Sequence, residues 1–306
     1  QIIGTNNSRL MNITSIGEIL FDIYPNHKRL GGAPLNFIYH VKKLTDNGNI
    51  ISRVGKDVLG NKAINDLKHS GLSFDFIQHD NLHPTGMALV SLDDSGNPKF
   101  KIEPDCAYDF IELNDENNYL ISADTDCLYF GTLAQRSDIS RKTIQSFFNR
   151  GFKYFADLNL RQNFYDEELL KTSLVAADFV KVNYDEMHTL NDFFVQIEYS
   201  TERVAYELME KFDIKMIAVT RGKEGSSIFE NGKRYNHSID AVKVVDTTGA
   251  GDAFAAVLCV GYLHGLEIPY INKLANDFAA EICQFEGALP KYDRIYESFR
   301  EQMGFF

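Results

Sequence analysis

The chain has 306 residues, 44% hydrophobic and 24% charged, proportions ordinary for a globular protein. A net charge of −12 with no basic stripe argues against a nucleic-acid partner, and no apolar run approaches the ~18 residues needed to span a bilayer. Four scattered cysteines (Cys106, Cys127, Cys259, Cys283) form no CxxC pair and read as buried thiols of a reducing, cytoplasmic compartment.

The opening QIIGTNNSRL lacks a basic-then-apolar signal pattern, and Met11 reads as the natural start. Residues 1–11 are therefore expected to be a leader or remnant upstream of a single domain over 12–306. A first strand is predicted at Ile13–Ile16, then a helix carrying Leu35, Ile38, Val41 and Leu44 on one face, then a strand at Ile50–Val54. Further along, MALVSLD (Met87–Asp93), a DSGN turn and PKFKIE (Pro98–Glu103) predict two strands in a hairpin. With Ile19–Leu30 they would make a small antiparallel flap, a lid over about 19–30 and 86–104; the alternative is an edge hairpin of the main sheet. Strands are next predicted at Cys127–Phe130, Lys153–Asp157, Phe179–Val182 and Met216–Thr220, and a last amphipathic helix carries Phe254, Leu258 and Tyr262. This alternation predicts an α/β fold, a mostly parallel sheet with helices on both faces, whose ligands sit at the carboxyl ends of strands.

The chemistry concentrates in VKVVDTTGAGDAFAAVLCVGYL (Val242–Leu263). A β-branched run ends at Asp246, a glycine-rich turn follows, and a helix begins near Gly251. The first N–H groups of a helix lack internal partners and carry partial positive charge. Glycines let an anion approach them, so Gly249, Ala250 and Gly251 could form an anion hole. A dinucleotide GxGxxG would need glycine where this chain has Phe254, and no GxxxxGK with a following Ser or Thr occurs. Taken alone, Asp252 could equally be a helix cap.

DTTGAGDAF closely resembles the C-terminal signature of the PfkB/ribokinase family of carbohydrate kinases. GGAPLNF (Gly31–Phe37) with SRVGKDVLG (Ser52–Gly60) resembles the N-terminal one, and ADLNLR (Ala156–Arg161), KVNYDE (Lys181–Glu186) and TRGKEGS (Thr220–Ser226) are similar to intervening pieces. The resemblance runs from Asn12 to the C-terminus and implies a ribokinase-like three-layer α/β/α sandwich with a β-lid. It implies transfer of the γ-phosphoryl of ATP to a sugar hydroxymethyl group, with Asp252 as general base and Gly249, Ala250 and Gly251 stabilising the charge in flight. Asn183 and Glu186 match the family's NxxE element, where Glu186 would organise Mg²⁺ through water. Thr220, Gly222 and Gly225 would meet nucleotide phosphates, and Asn276 and Ala279 would border adenine. Asp22, Gly31, Gly32 and Asn36, with Gln135 and Arg161 as weaker matches, would form the acceptor pocket. Asp246 and the Thr248 carbonyl match a loop that holds K⁺ in many members, and FEGALP (Phe285–Pro290) loosely resembles its other half.

GEILFDIYPNHKRLGGAPLNF and AYDF (Ala107–Phe110) look most like fructokinase-type members, so fructose is the expected acceptor. Ribose, 2-keto-3-deoxygluconate and a nucleoside are the alternatives. A catalytically silent sugar- or nucleotide-binding regulator is the reading from another class. Lid-to-lid homodimers are frequent in the family, and the Met87–Glu103 hairpin offers edges that could pair.

Overall fold

Short apolar runs flanked by turn residues become the strands of the sheet, as their burial on both faces requires. The computed structural model describes residues 11–92, 98–239 and 242–305. The predicted leader, apart from Met11, and the DSGN turn lie outside the described residues.

Thirteen strands are present among the described residues. They are β1 (Ile13–Ile16), β2 (Leu20–Ile23), β3 (Lys28–Gly31), β4 (Asn49–Gly55), β5 (Ile77–Asp80), β6 (Gly86–Leu92) and β7 (Pro98–Ile102). Then follow β8 (Cys127–Phe130), β9 (Lys153–Asp157), β10 (Phe179–Asn183), β11 (Met216–Thr220), β12 (Ser226–Glu230) and β13 (Lys233–His237). Nine form the central sheet in the order β13-β12-β11-β10-β9-β8-β1-β4-β5, parallel from β5 to β11 and antiparallel at β12 and β13. Four form a small sheet in the order β3-β2-β6-β7. The flap expected to be antiparallel is instead mixed: β2 pairs with β6 in parallel, because Ile19–Leu30 supplies its own hairpin and that hairpin joins the second one side by side.

Alternation along each central strand divides the core in two. Tyr129, Phe155, Phe179 and Met216 face the helices Ala33–Thr45, Ala250–Leu263 and Ile268–Ile282. Phe130, Tyr154, Val180 and Val182 face the other layer, where Leu174, Leu190 and Leu208 cover them. Burying side chains of this size is worth roughly 1.5–3 kcal/mol each, so the two layers fix the strand register and with it the positions of the strand ends. The cysteines are free and buried, as expected. No helix among the described residues is long and apolar enough to cross a membrane.

Gly32 joins the small sheet to the Ala33–Thr45 helix at φ 115°. A Cβ there would stand 2.4 Å from the Glu18 carbonyl oxygen, so only glycine lets the strand turn into the helix at this point. The aromatic ring of Phe37 then stacks on Tyr129 at 3.8 Å, which orients the helix so that the preceding residue, Asn36, looks across the cleft.

Candidate active site

Asp252 lies in the first turn of the Ala250–Leu263 helix. Its Oδ2 accepts a hydrogen bond from Asn36 Nδ2 at 2.8 Å, a contact between residues 216 apart in sequence. Burial, followed by the nearby Asp157 carboxylate, raises its pKa to about 6, against the lowering influence of Lys181, Asn36 and Arg161. The group is thus ionised at neutral pH yet basic enough to accept a proton, the condition a general base requires.

Gly249 caps the helix at φ 79°, where a Cβ would meet the Ala288 Cβ at 2.3 Å. Of the three expected donors, Ala250 turns its N–H back to the Thr247 carbonyl at 3.2 Å, while Gly249 and Gly251 have no acceptor among the described residues. Gly249→Ala should therefore distort this loop. An alanine in left-handed conformation costs roughly 1–2 kcal/mol and overpacking about 1–3 kcal/mol more. A depressed Tm together with a reduced kcat is the expected result.

Beneath this helix end lies a buried network that the sequence reading passed over. Lys181 Nζ reaches both oxygens of Asp157 at 3.1 Å, and Tyr129 Oη donates to Asp157 Oδ2 at 3.1 Å. A Cβ placed on Gly251 would stand 3.0 Å from Lys181 Nζ, so the ammonium sits directly under the first turn. Burial alone would lower its pKa; the carboxylates of Asp157, Glu186 and Asp252 reverse that and hold it above the ordinary lysine value. A lysine inside the apolar run FVKVN was the available signal, since a charge in a central strand needs a buried partner.

The residues expected on the acceptor side come from the small sheet and the Ala33–Thr45 helix. A Cβ on Gly31 would lie 3.5 Å from Asp22 Oδ2 and 3.9 Å from Asn36 Oδ1. Asn36 Oδ1 is buried with no hydrogen-bond partner, and so is the Tyr108 hydroxyl of the AYDF segment. Burial raises the Asp22 pKa to about 6, with Arg161 and Arg29 opposing. Arg161 itself is exposed and donates to its neighbour's carbonyl, the Leu160 oxygen, at 3.3 Å. Glu18, which sequence reasoning missed, is buried beside them: its Oε1 accepts the Ala33 N–H at 3.3 Å, and burial lifts its pKa to about 7. Gln135 belongs elsewhere. It is fully buried, donates to the Gly131 carbonyl and to Ser173 Oγ, and accepts from Gln145, so its amide is committed inside the fold.

These buried acids have a consequence for stability. Glu18, Asp22 and Asp252 have folded pKa values of about 7, 6 and 6, above their ordinary values, so between about pH 4 and 7 the folded state binds more protons than the unfolded one. Their contribution is present in acid and is lost as pH rises through that window. Of these three groups, the ligand-free protein is expected to feel a falling Tm contribution from pH 5 to pH 7.5, and a Glu18→Gln variant should flatten that slope in thermal melts.

Asn183 and Glu186 form a reciprocal cap on the Tyr184–Leu190 helix: Asn183 Oδ1 accepts the Glu186 N–H at 2.9 Å, and Glu186 Oε2 accepts the Asn183 N–H at 2.8 Å. Glu186 Oε1 accepts the Leu160 N–H at 2.8 Å, which ties ADLNLR to KVNYDE. A cavity of about 650 Å³ opens beside this cap, lined in part by Asn183, Thr220, Arg221 and Gly222. Gly225 stands at the turn into β12, where its N–H donates to the Gly222 carbonyl. The expected adenine neighbours are inside the packing instead. Asn276 is 2% exposed and donates to Ser226 Oγ and the Asn272 carbonyl at 2.7 Å, and Ala279 is buried at the helix interface. Asp246 and Thr248 stand at the start of the glycine loop, where Asp246 Oδ1 accepts the Thr248 N–H at 2.9 Å.

The site thus combines a cavity at the ends of β10 and β11, a buried carboxylate in the first turn of a helix, and Asn36 and Asp22 beside that carboxylate. Residues 16–293 match the model of the pfkB family carbohydrate kinases. The chain is 31% identical to the sugar kinase PH1459 of Pyrococcus horikoshii, over 94% of this chain and 96% of that one. It is 27% identical to an Escherichia coli fructokinase, over 80% and 82% of the two chains. The crystal structure of PH1459 in complex with ATP superposes with a TM-score of 0.80 at 27% identity, covering 95% and 99% of the chains. A double mutant of Vibrio cholerae O395 fructokinase, in its fructose-, ADP- and potassium-bound form, shares the fold with a TM-score of 0.78 at 24% identity, covering 95% and 99%. The chain belongs to the pfkB family of carbohydrate kinases, and it is an ATP-dependent sugar kinase.

Proposed function

We propose that the acceptor is fructose and that Asp252 takes the proton from its hydroxymethyl group as the phosphoryl group arrives. The observation that carries this reading is the unpartnered, buried Asn36 Oδ1, held beside Asp22 and on the same amide that orients Asp252. An orphaned acceptor in a polar pocket calls for a hydroxyl donor from a ligand. The same Asn36 would therefore bind one sugar hydroxyl while its Nδ2 keeps the base aimed at another. The E. coli relative named a fructokinase supports the choice of ketose.

On the other side of the cleft, Gly249 and Gly251 would hold the negative charge on the transferred group, with the Lys181 ammonium beneath them. The cavity at Thr220, Arg221 and Gly222 would take the nucleotide. Among the described residues no three His, Cys, Asp or Glu converge as a metal site. Asn183 and Glu186 would stand at the edge of a Mg²⁺ carried mainly by phosphates and water; when bound, it neutralises phosphate charge. The small sheet would serve as the lid over the sugar. Large apolar side chains at Leu89 and Phe100 are each 40% exposed on it, and the homodimer expected from the family would cover such residues.

The test is the specificity constant for a panel of acceptors, with the product's phosphate position fixed by phosphorus NMR. Fructose should give the highest kcat/KM. The exposed Arg161 guanidinium, which opposes the raised pKa values of Asp22, Glu18 and Asp252, is the group an acidic keto sugar would meet in the second reading. A preference for 2-keto-3-deoxygluconate, ribose or a nucleoside would overturn the assignment of fructose while leaving the kinase in place.

A further inference from the structure

Asp246 opens the glycine loop, and both of its oxygens are already engaged. Oδ1 accepts the Thr248 N–H at 2.9 Å, and Oδ2 accepts the Gly287 N–H at 3.0 Å and Arg29 Nη1–H at 2.5 Å. The second nitrogen of the guanidinium donates to Glu286 Oε2 at 3.2 Å. Backbone bonds complete the junction, since the N–H groups of Val245 and Asp246 both donate to the Cys283 carbonyl at 2.8 and 3.1 Å. Arg29 thus bridges the two segments, Asp246–Thr248 and Phe285–Pro290, that the family resemblance assigns to a monovalent cation. With a guanidinium already against Oδ2, this carboxylate has a fixed counter-charge and does not need a K⁺ ion beside it.

Resting on the kinase reading above, we propose that Arg29 supplies as a tethered group the positive charge of a monovalent cation, so that this enzyme works without K⁺. The side chains of Arg29 and Asp246 are 26% and 19% exposed, so the carboxylate is partly desolvated and needs a counter-charge. A guanidinium serves well because its planar fork satisfies two carboxylates at once, where a lysine would act as a point charge. Its stem is held in place by packing: the guanidinium carbon lies 5.3 Å from the centre of the Tyr24 ring, and a Cβ on Gly287 would touch Arg29 Cδ at 3.5 Å. The tether also has a mechanical consequence. Arg29 stands in β3 opposite Asp22 in β2, so the strand pair bearing an acceptor-pocket carboxylate is linked directly to the loop bearing the anion hole. A free ion could neutralise Asp246 but would make no such link. Arg29 is in this sense a positioning residue, acting on Gly249–Asp252 through Asp246.

The experiment compares wild type and Arg29→Met in K⁺ and in tetramethylammonium salts at equal ionic strength, by ADP release and by thermal melts. Wild type should change by less than about twofold in kcat/KM between the salts, and its Tm should not respond to K⁺ specifically. Arg29→Met should fall roughly 10–100-fold in tetramethylammonium, regain most of that rate in K⁺, and show a K⁺-specific rise in Tm. Wild type that needs K⁺ for activity or is selectively stabilised by it would overturn the proposal. So would an Arg29→Met variant that keeps full activity, or a folded one that K⁺ neither reactivates nor stabilises. If wild type releases no ADP in either salt, the kinase reading fails, and the melts still decide whether Arg29 takes the place of the ion.

Discussion

Replacing Asp252 by Asn should lower kcat by roughly 10²–10⁴-fold, the range over which a positioned general base contributes. Asparagine keeps the shape of the side chain and can remain near Asn36, whose Nδ2 now donates to the carboxylate at 2.8 Å. The fold and the affinity for both substrates should therefore survive, and calorimetric titration with the sugar and with a non-hydrolysable ATP analogue would check that. Because the pKa of Asp252 lies at about 6, kcat/KM of the wild type should fall as pH drops through 6 and level off above it. The residual activity of the Asn variant should lack that acidic limb.

A second large effect is expected at Lys181. Lys181→Met leaves the fully buried Asp157 without its partner, and breaking a buried pair this way costs about 3–5 kcal/mol. Stability alone would not distinguish a structural lysine from one that also serves catalysis. The double variant Lys181→Met with Asp157→Asn removes both charges and should recover much of the lost stability, read as the denaturation midpoint. Its kcat should nonetheless stay at least about tenfold below wild type, because the positive charge beneath Gly251 is gone. Full recovery of kcat in the double variant would reduce the lysine to a core ion pair.

Much of this architecture is legible in the chain. Ile13–Ile16, Cys127–Phe130, Lys153–Asp157 and Met216–Thr220 form strands over the residues predicted, because each is a short apolar run covered on both faces. The edge strands Ile77–Asp80 and Lys233–His237 were missed, since half-exposed sequences such as IQHD and KRYNH carry little apolar pattern. Val242–Val245 misleads in the opposite direction: it is β-branched yet forms no strand, and Val242, Val244 and Val245 are exposed. Glycine-rich loops and the NxxE element are local and can be found by motif. The contacts that set their chemistry are not local. Asn36 meets Asp252 across 216 residues and Arg29 meets Asp246 across 217, so a spacing rule cannot reveal either. Gln135 and Asn276 show the converse limit, since a polar residue in a familiar register can hydrogen-bond entirely within the fold.

Chemistry at the glycine loop and its buried carboxylate is tested most directly by ADP release from Mg·ATP by purified wild-type protein, with and without sugar. The expected result is slow background hydrolysis that rises by orders of magnitude when a suitable sugar is added, one ADP forming for each sugar phosphate, and a rise that Asp252→Asn abolishes. ADP release that no sugar stimulates, or stimulation that the Asp252→Asn variant retains in full, would contradict it.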